Sequence, residues 1–171
     1  MASELAKALV ENLTGLTSLK YGKELIVFII SMMPILELRG GLVAAALLGL
    51  KGLPSFIICF IGNIIPIPFI LWLVTPIFDY LKKTKLFRGI VNKLENRAMS
   101  KKEQIEKLQY IGLLLFVGIP IPGTGAWMGC LIASLLNMDK KKSFLYATLG
   151  VIMAGVIMMI VSYGILDNLI H

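Results

Sequence analysis

Charge is scarce in this chain of 171 residues: 16% of it is charged and 57% hydrophobic, against about 25% and roughly 45–50% in soluble globular proteins. That shortage excludes a water-soluble fold, because the apolar residues fall into long uncharged runs that one core of this size cannot hide. Chemistry-bearing residues are scarcer still. The single histidine is the terminal His171, and the two cysteines, Cys59 and Cys130, lie inside apolar runs. No disulfide framework and no Cys, His, Asp and Glu spacing for a metal follows, nor a Ser/His or Cys/His pair, so the sequence predicts no metal, no cofactor and no enzyme. Acids are fewer than bases, 10 against 17. The bases stand between the apolar runs, where membrane topology puts them, so no nucleic-acid partner is expected. The opening carries Glu4 and Glu11 and no basic n-region, unlike a cleaved signal peptide. Leu5, Leu9, Leu13 and Leu16 instead predict an amphipathic surface helix over residues 1–22.

What is present is four apolar runs: Leu25 to Leu50, Leu53 to Phe78, Leu108 to Met138 and Ser143 to Leu166. Each has the roughly 20 residues that a spanning helix needs. Two of them break at their middles, at Pro34-Ile-Leu-Glu37-Leu-Arg39-Gly40-Gly41 and at Gly118-Ile-Pro120-Ile-Pro122-Gly123-Thr124-Gly125. A proline removes a backbone donor and pushes the preceding residue out of the α region, so Met33, Ile119 and Ile121 are predicted helix ends. Limbs of half a bilayer remain, either as broken spanning helices or as re-entrant hairpins. Hairpins put Lys82 to Lys107 and Lys140-Lys141-Lys142 on one side, with 12 of the 17 basic residues. Four full spans would separate those groups, against the positive-inside rule.

The two halves also match internally. Pro34-Ile35 falls on Pro120-Ile121 at an offset of 86, and Ser55-Phe56, Gly62 and Asp79 fall on Ser143-Phe144, Gly150 and Asp167 at 88. The predicted fold is an all-α integral membrane protein of two inverted-topology repeats, each a re-entrant helical hairpin plus a spanning helix. Repeat 1 covers 23–79, with its hairpin at 24–50 and spanning helix at 53–79; repeat 2 covers 108–168, with its hairpin at 108–138 and spanning helix at 143–166. A basic cytoplasmic connector over 80–107 joins them, with Leu86, Ile90 and Leu94 at helical spacing. Pro66-Ile-Pro68, beside Asn63, opens the first spanning helix at the depth of the hairpin tips. Two spanning helices and two hairpins cannot seal such a cavity from lipid, so a homo-oligomer is expected, a dimer first.

A half-helix is predicted to begin after each break, near Gly40-Gly41 and near Gly125-Ala126, with Thr124 as cap. Inward-pointing helix N-termini favour anions, and glycine lets a ligand reach the backbone. Arg39 adds a fork of donors for phosphate or carboxylate. Glu37, the only acid within the runs, is placed to couple protons, or else to pin the tip as an ion pair with Arg39. Substrate contact is assigned to Arg39, Gly40, Gly41, Thr124, Gly125, Trp127 and Asn63, and the tip geometry to Pro34, Pro120, Pro122 and Gly123. Trp127 and Asn63 also have packing roles open to them.

Glu37-Leu-Arg39-Gly40-Gly41 after a proline, with Pro120-Ile-Pro122-Gly123-Thr124-Gly125-Ala126-Trp127 in the second half, resembles the two signature stretches of the bacterial and archaeal putative small multidrug export protein family. More distantly the Pro-x-Pro-Gly turn is similar to the DedA, or SNARE-associated (VTT), superfamily, which implies lipid translocation. Here Thr124 stands where that superfamily has an acid, and the second hairpin has no arginine. The resemblance implies a multi-pass protein of the bacterial or archaeal plasma membrane, with membrane lipids as partners. Two functions follow as expectations: a transporter or flippase of an anionic, phosphate-bearing lipid or small molecule, using a midplane site at two facing hairpin tips, or a proton-coupled exporter of lipophilic cations.

Overall fold

The computed structural model describes residues 21–164, with Glu4, Ala8, Val10 and Gly15 singly before them. The helix expected over 1–22 therefore lies outside the described residues apart from these positions. Among the described residues there is no strand. The helices are α1 (Gly22–Met32), α2 (Glu37–Leu47), α3 (Gly52–Ile64), α4 (Pro66–Leu81), α5 (Lys85–Met99), α6 (Lys102–Glu106), α7 (Gln109–Gly118), α8 (Ala126–Leu135) and α9 (Lys140–Met159), which runs on as a π-helical turn over Ile160–Gly164. Packing divides them into two units, Met1–Ile65 with Val151–His171, and Pro66–Gly150.

In the first unit α1 and α2 form a helical hairpin. Met33, crowded by the ring of Pro34, takes φ −74°, ψ 139° and ends α1. The outer ends of the two limbs meet, since Lys23 Nζ donates to the carbonyl of Leu48 at 2.9 Å. Ile26, Val27 and Ile30 of α1 and Leu38, Leu42, Ala44 and Ala45 of α2 are buried, packed with α3. Small residues set that packing. A Cβ on Gly62 would stand 2.8 Å from the Phe28 carbonyl and 3.1 Å from Ser31 Cβ, so only glycine lets α3 lie this close to α1. Gly62 is ten residues into α3, about 15 Å along its axis, and the hairpin turn follows immediately after its partner Ser31. The hairpin therefore reaches about half the ~30 Å thickness of a hydrocarbon core. The π-helical turn after α9 joins this unit: Tyr163 donates its hydroxyl to the Leu50 carbonyl at 3.2 Å.

In the second unit α7 and α8 make another hairpin. Ile119, before Pro120, has φ −80°, ψ 120° and ends α7. Its outer ends also meet, Asp139 N donating to Tyr110 Oη at 3.2 Å, beside the tilted Tyr110–Tyr146 ring pair. Gly150, ten residues into α9, takes Val117 in place of a side chain, so this tip too stands about 15 Å along its long helix. Against α8 lies α4, where Thr75 Oγ1 and Ser134 Oγ share a hydrogen bond of 2.9 Å.

Two helical stretches are long and apolar enough to cross a membrane, Gly52–Leu81 and Lys140–Gly164, of 30 and 25 residues. Leu53, Ile57 and Ile61 on α3 and Leu145, Leu149, Ile152 and Val156 on α9 form exposed apolar stripes, a surface suited to lipid and unsuited to water.

Two expectations change in detail. Pro66 and Pro68 do not open the backbone widely: the break is Ile65 alone, which keeps α-helical angles of φ −54°, ψ −46° and donates to the Ile61 carbonyl at 3.2 Å. Both prolines sit in the first turn of α4, where a missing N–H leaves little undone. The second long helix begins at Lys140 rather than at residue 143, because Asp139 Oδ1 accepts from Lys142 N at 2.8 Å and caps it. The lysine triplet is thus a first turn, not a loop. Along α5 the buried positions are Val91 and Ala98, while Ile90 and Leu94 face outward.

Candidate functional site

At the first tip the chain turns through Pro34-Ile35-Leu36, and α2 starts at Glu37, earlier than the Gly40-Gly41 pair where the sequence placed it. Glu37 is only 5% exposed. Its φ is +51°, a left-handed conformation that an L side chain adopts at a cost of roughly 1–3 kcal/mol. What holds it there is the turn itself: Glu37 N donates to the Met33 carbonyl at 2.9 Å, and Gly40 N to that of Leu36 at 2.7 Å. Arg39 lies in the first turn of α2 rather than on an extended tip. It shares a half-open face with Val43 and Ala46 and stands two residues along the chain from Glu37.

The two glycines serve packing. A Cβ on Gly40 would stand 2.7 Å from Leu36 Cβ; one on Gly41 would run into Ser31 Oγ and come within 2.9 Å of Cys59 Sγ. At Gly41 the close approach is helix to helix, whereas at Gly40 it is to Leu36 in the same turn. Gly41 thus fixes Cys59 opposite it on the antiparallel α3, and one turn further toward the tip on both helices stand Glu37 and Asn63. Asn63 is 2% exposed, and its Oδ1 has no hydrogen-bond partner among the described residues. A buried amide oxygen left so costs roughly 1–3 kcal/mol. The first unit therefore sets an ionisable carboxyl, a guanidinium and an unsatisfied acceptor around one level of the fold.

At the second tip Ile121-Pro122-Gly123-Thr124 closes a β-turn, Thr124 N donating to the Ile121 carbonyl at 3.2 Å. Proline at the second position and Gly123 at φ +82° are the marks of a type II turn. Gly125, at φ +133°, is the N-cap of α8. Thr124 therefore does not cap the helix. Its hydroxyl turns back and is shared between the carbonyls of Ile121 at 2.8 Å and Ile119 at 3.1 Å, fastening the turn after Pro120. Trp127, in the first turn of α8, is half-buried.

The sequence missed two residues here. Lys101, from the connector, donates Nζ to the Gly123 carbonyl at 2.6 Å, and Arg97 Nη2 stands 3.9 Å from where a Cβ on Gly123 would be. The connector folds back along the second hairpin, because Gly112 lets α7 approach the backbone of Gln104 and Ile105. The signal available in the sequence was Gly112 and the i,i+4 spacing of Arg97 and Lys101. Beside this tip is a cavity of about 150 Å³ lined by Gln104, Phe116, Ile119, Ile121 and Thr124 among others. A larger one of about 310 Å³ opens at the outer ends of the same hairpin, at Tyr110 and Met138, away from the predicted residues.

The predicted residues thus divide: Pro34, Glu37, Arg39, Gly40, Gly41 and Asn63 belong to the first unit, and Pro120, Pro122, Gly123, Thr124, Gly125 and Trp127 to the second. No curated protein and no solved structure gives a match to the chain. A family does match, over residues 37–157, from the buried glutamate of the first tip through the second hairpin and into α9. With its membrane-length apolar helices, the chain is a membrane protein that belongs to the family described as Putative small multi-drug export protein.

Proposed function

We propose that the protein is a membrane transporter or flippase that moves an anionic, phosphate-bearing lipid or small molecule, coupled to protons through Glu37. The observation that carries this reading is the first tip: a buried carboxyl in a strained backbone conformation, two residues along the chain from a half-open arginine, about 15 Å along α3. Charges at that depth of a membrane are expensive and are kept where they act on cargo or protons. Arg39 offers bidentate contact to the anion. Protonation of Glu37 removes the negative charge that competes for Arg39, so loading a proton and loading an anion favour each other. Asn63, whose Oδ1 lacks a donor, accepts from a cargo hydroxyl or from the protonated carboxyl.

The architecture in this reading is two inverted repeats, each a re-entrant hairpin and a spanning helix. It is supported by hairpin ends that meet at Lys23–Leu48 and at Tyr110–Asp139, and by tips that reach half a hydrocarbon thickness. The units support the repeat as well: each holds one hairpin, the first half of the long helix after it and the second half of the other long helix. The basic connector and Lys140 to Lys142 are then cytoplasmic, and a homodimer shields the polar depth from lipid.

A second reading is proton-coupled export of lipophilic cations with Glu37 as charge partner; the family description supports export and leaves the cargo open between the two. Binding to the purified protein separates the two, using a polyprenyl phosphate and a lipophilic cationic dye, with wild type and Arg39→Gln. Saturable phosphate-lipid binding that the substitution removes is the expected result. Dye binding that survives it, with no phosphate-lipid binding, overturns the anion reading in favour of the cation exporter.

A further inference from the structure

Between Gln109 and Met138 the second hairpin has no charged side chain, yet two cations of the connector stand at its tip. Lys101 Nζ is bound to the Gly123 carbonyl at 2.6 Å, which occupies one of the three N–H donors of an ammonium. Arg97, one turn before it on the same face of the connector, brings a guanidinium to the same glycine. Like charges converging on one residue repel, though Arg97 is exposed and Lys101 only half-buried, so water screens part of that repulsion. Of the connector's three acids, Glu95 is engaged by Lys82 at 2.7 Å and Glu106 by Lys102 at 3.8 Å, and Glu103 is exposed and makes no ion pair with Arg97 or Lys101 among the described residues. An anion bridging the two cations would relieve the repulsion. Ile121 and Thr124, on either side of the Pro122-Gly123 turn, also line a cavity of about 150 Å³ with Gln104, Phe116 and Ile119; neither Arg97 nor Lys101 is among its lining residues.

We infer that Arg97 and Lys101, over the Pro122-Gly123 turn, form a second anion site that takes a phosphate monoester group. The inference rests on the anionic-cargo reading and extends it to a residue pair outside both signature stretches. In it the connector supplies the cations that the second hairpin lacks. Lys101 keeps its bond to Gly123 while its remaining donors and the Arg97 fork hold the phosphate.

The test is titration of the full chain in detergent with dihexanoyl phosphatidic acid, with inorganic phosphate as a separate arm and dihexanoyl phosphatidylcholine as control. Wild type, Arg97→Gln, Lys101→Gln, Lys101→Arg and Arg39→Gln are compared, each with its thermal midpoint. The inference expects Arg97→Gln and Lys101→Gln each to weaken phosphatidic acid binding roughly tenfold, Lys101→Arg to stay near wild type, and midpoints to hold. Inorganic phosphate binding with the same losses identifies the phosphate group alone as the ligand; phosphatidic acid binding without it identifies a lipid headgroup. If Lys101→Gln fails to fold, Arg97→Gln decides, since Arg97 is exposed. Binding lost in Arg39→Gln but within twofold of wild type in Arg97→Gln and Lys101→Gln overturns this inference and leaves the proposed function standing. No binding of either phosphate probe by wild type overturns both.

Discussion

Replacing Glu37 by glycine and, separately, by alanine removes the same carboxylate and exposes the backbone beneath it to measurement. Inside an ordinary helix alanine is more stable than glycine by about 1 kcal/mol. Glu37, however, starts α2 at φ +51°, where an L side chain costs roughly 1–2 kcal/mol and glycine pays no such penalty. The ranking should therefore invert, with Glu37→Gly more stable than Glu37→Ala by about 1 kcal/mol. For a chain of this size that is roughly 2–4 °C in thermal midpoint. Each variant alone is uninterpretable against wild type, because losing a buried charge changes desolvation and the field on Arg39 together. The comparison between them cancels those terms.

The assay is thermal unfolding of each variant in dodecyl maltoside followed by far-UV circular dichroism, with Glu37→Asn as a third point, since asparagine tolerates the left-handed region. The expected order of midpoints is glycine, then asparagine, then alanine. Alanine equal to or above glycine would refute the strained start of α2, and with it the argument that the turn after Pro34 is held in place for function.

Three further outcomes are expected. Thr124→Val loses the one hydroxyl proton shared by the Ile119 and Ile121 carbonyls and should lower stability by about 1 kcal/mol, read from the same melting curves; an unchanged midpoint would remove Thr124 from the turn. Asn63→Leu removes an unsatisfied buried oxygen and should raise the midpoint, by about 1 kcal/mol of stability, while abolishing phosphate-lipid binding; a loss of stability would assign Asn63 to structure. Single cysteines at Lys51 and Lys141, both exposed, in a background lacking Cys59 and Cys130, should label from opposite sides of a sealed vesicle. Labelling from the same side would replace the hairpins by four full spans.

How much of this was legible in the sequence depends on how local each cause is. Met33 and Ile119 end their helices because of the next residue's ring, and such steric rules read directly from Pro34 and Pro120. The Pro122-Gly123 turn is legible for the same reason. Glu37 as the start of α2 was not, since its left-handed angles depend on the bonds that Met33 and Leu36 accept across the turn, and no propensity favours glutamate there. On α5 the spacing of Leu86, Ile90 and Leu94 gives a helix, but not which other positions are covered; packing within the second unit is what buries Val91 and Ala98.

Glycines show the limit most sharply. Gly40-Gly41 in the first signature reads as a place where a ligand could touch the backbone and Gly123 in the second as part of a turn, because the sequence records only that a Cβ is missing. What fills the space is decided elsewhere in the chain. At Gly41 it is Ser31 and Cys59, ten and eighteen residues away, so the pair closes a helix junction. At Gly123 it is Lys101 and Arg97, cations from the basic connector. The same absence therefore has opposite meanings: small uncharged neighbours, Ser31 and Cys59, make Gly41 a packing site, whereas in the proposed anion site the charged neighbours at Gly123 make it the place where a negatively charged group is held. It is the chemistry of the filling residue, not the glycine, that separates scaffold from site in the two hairpins.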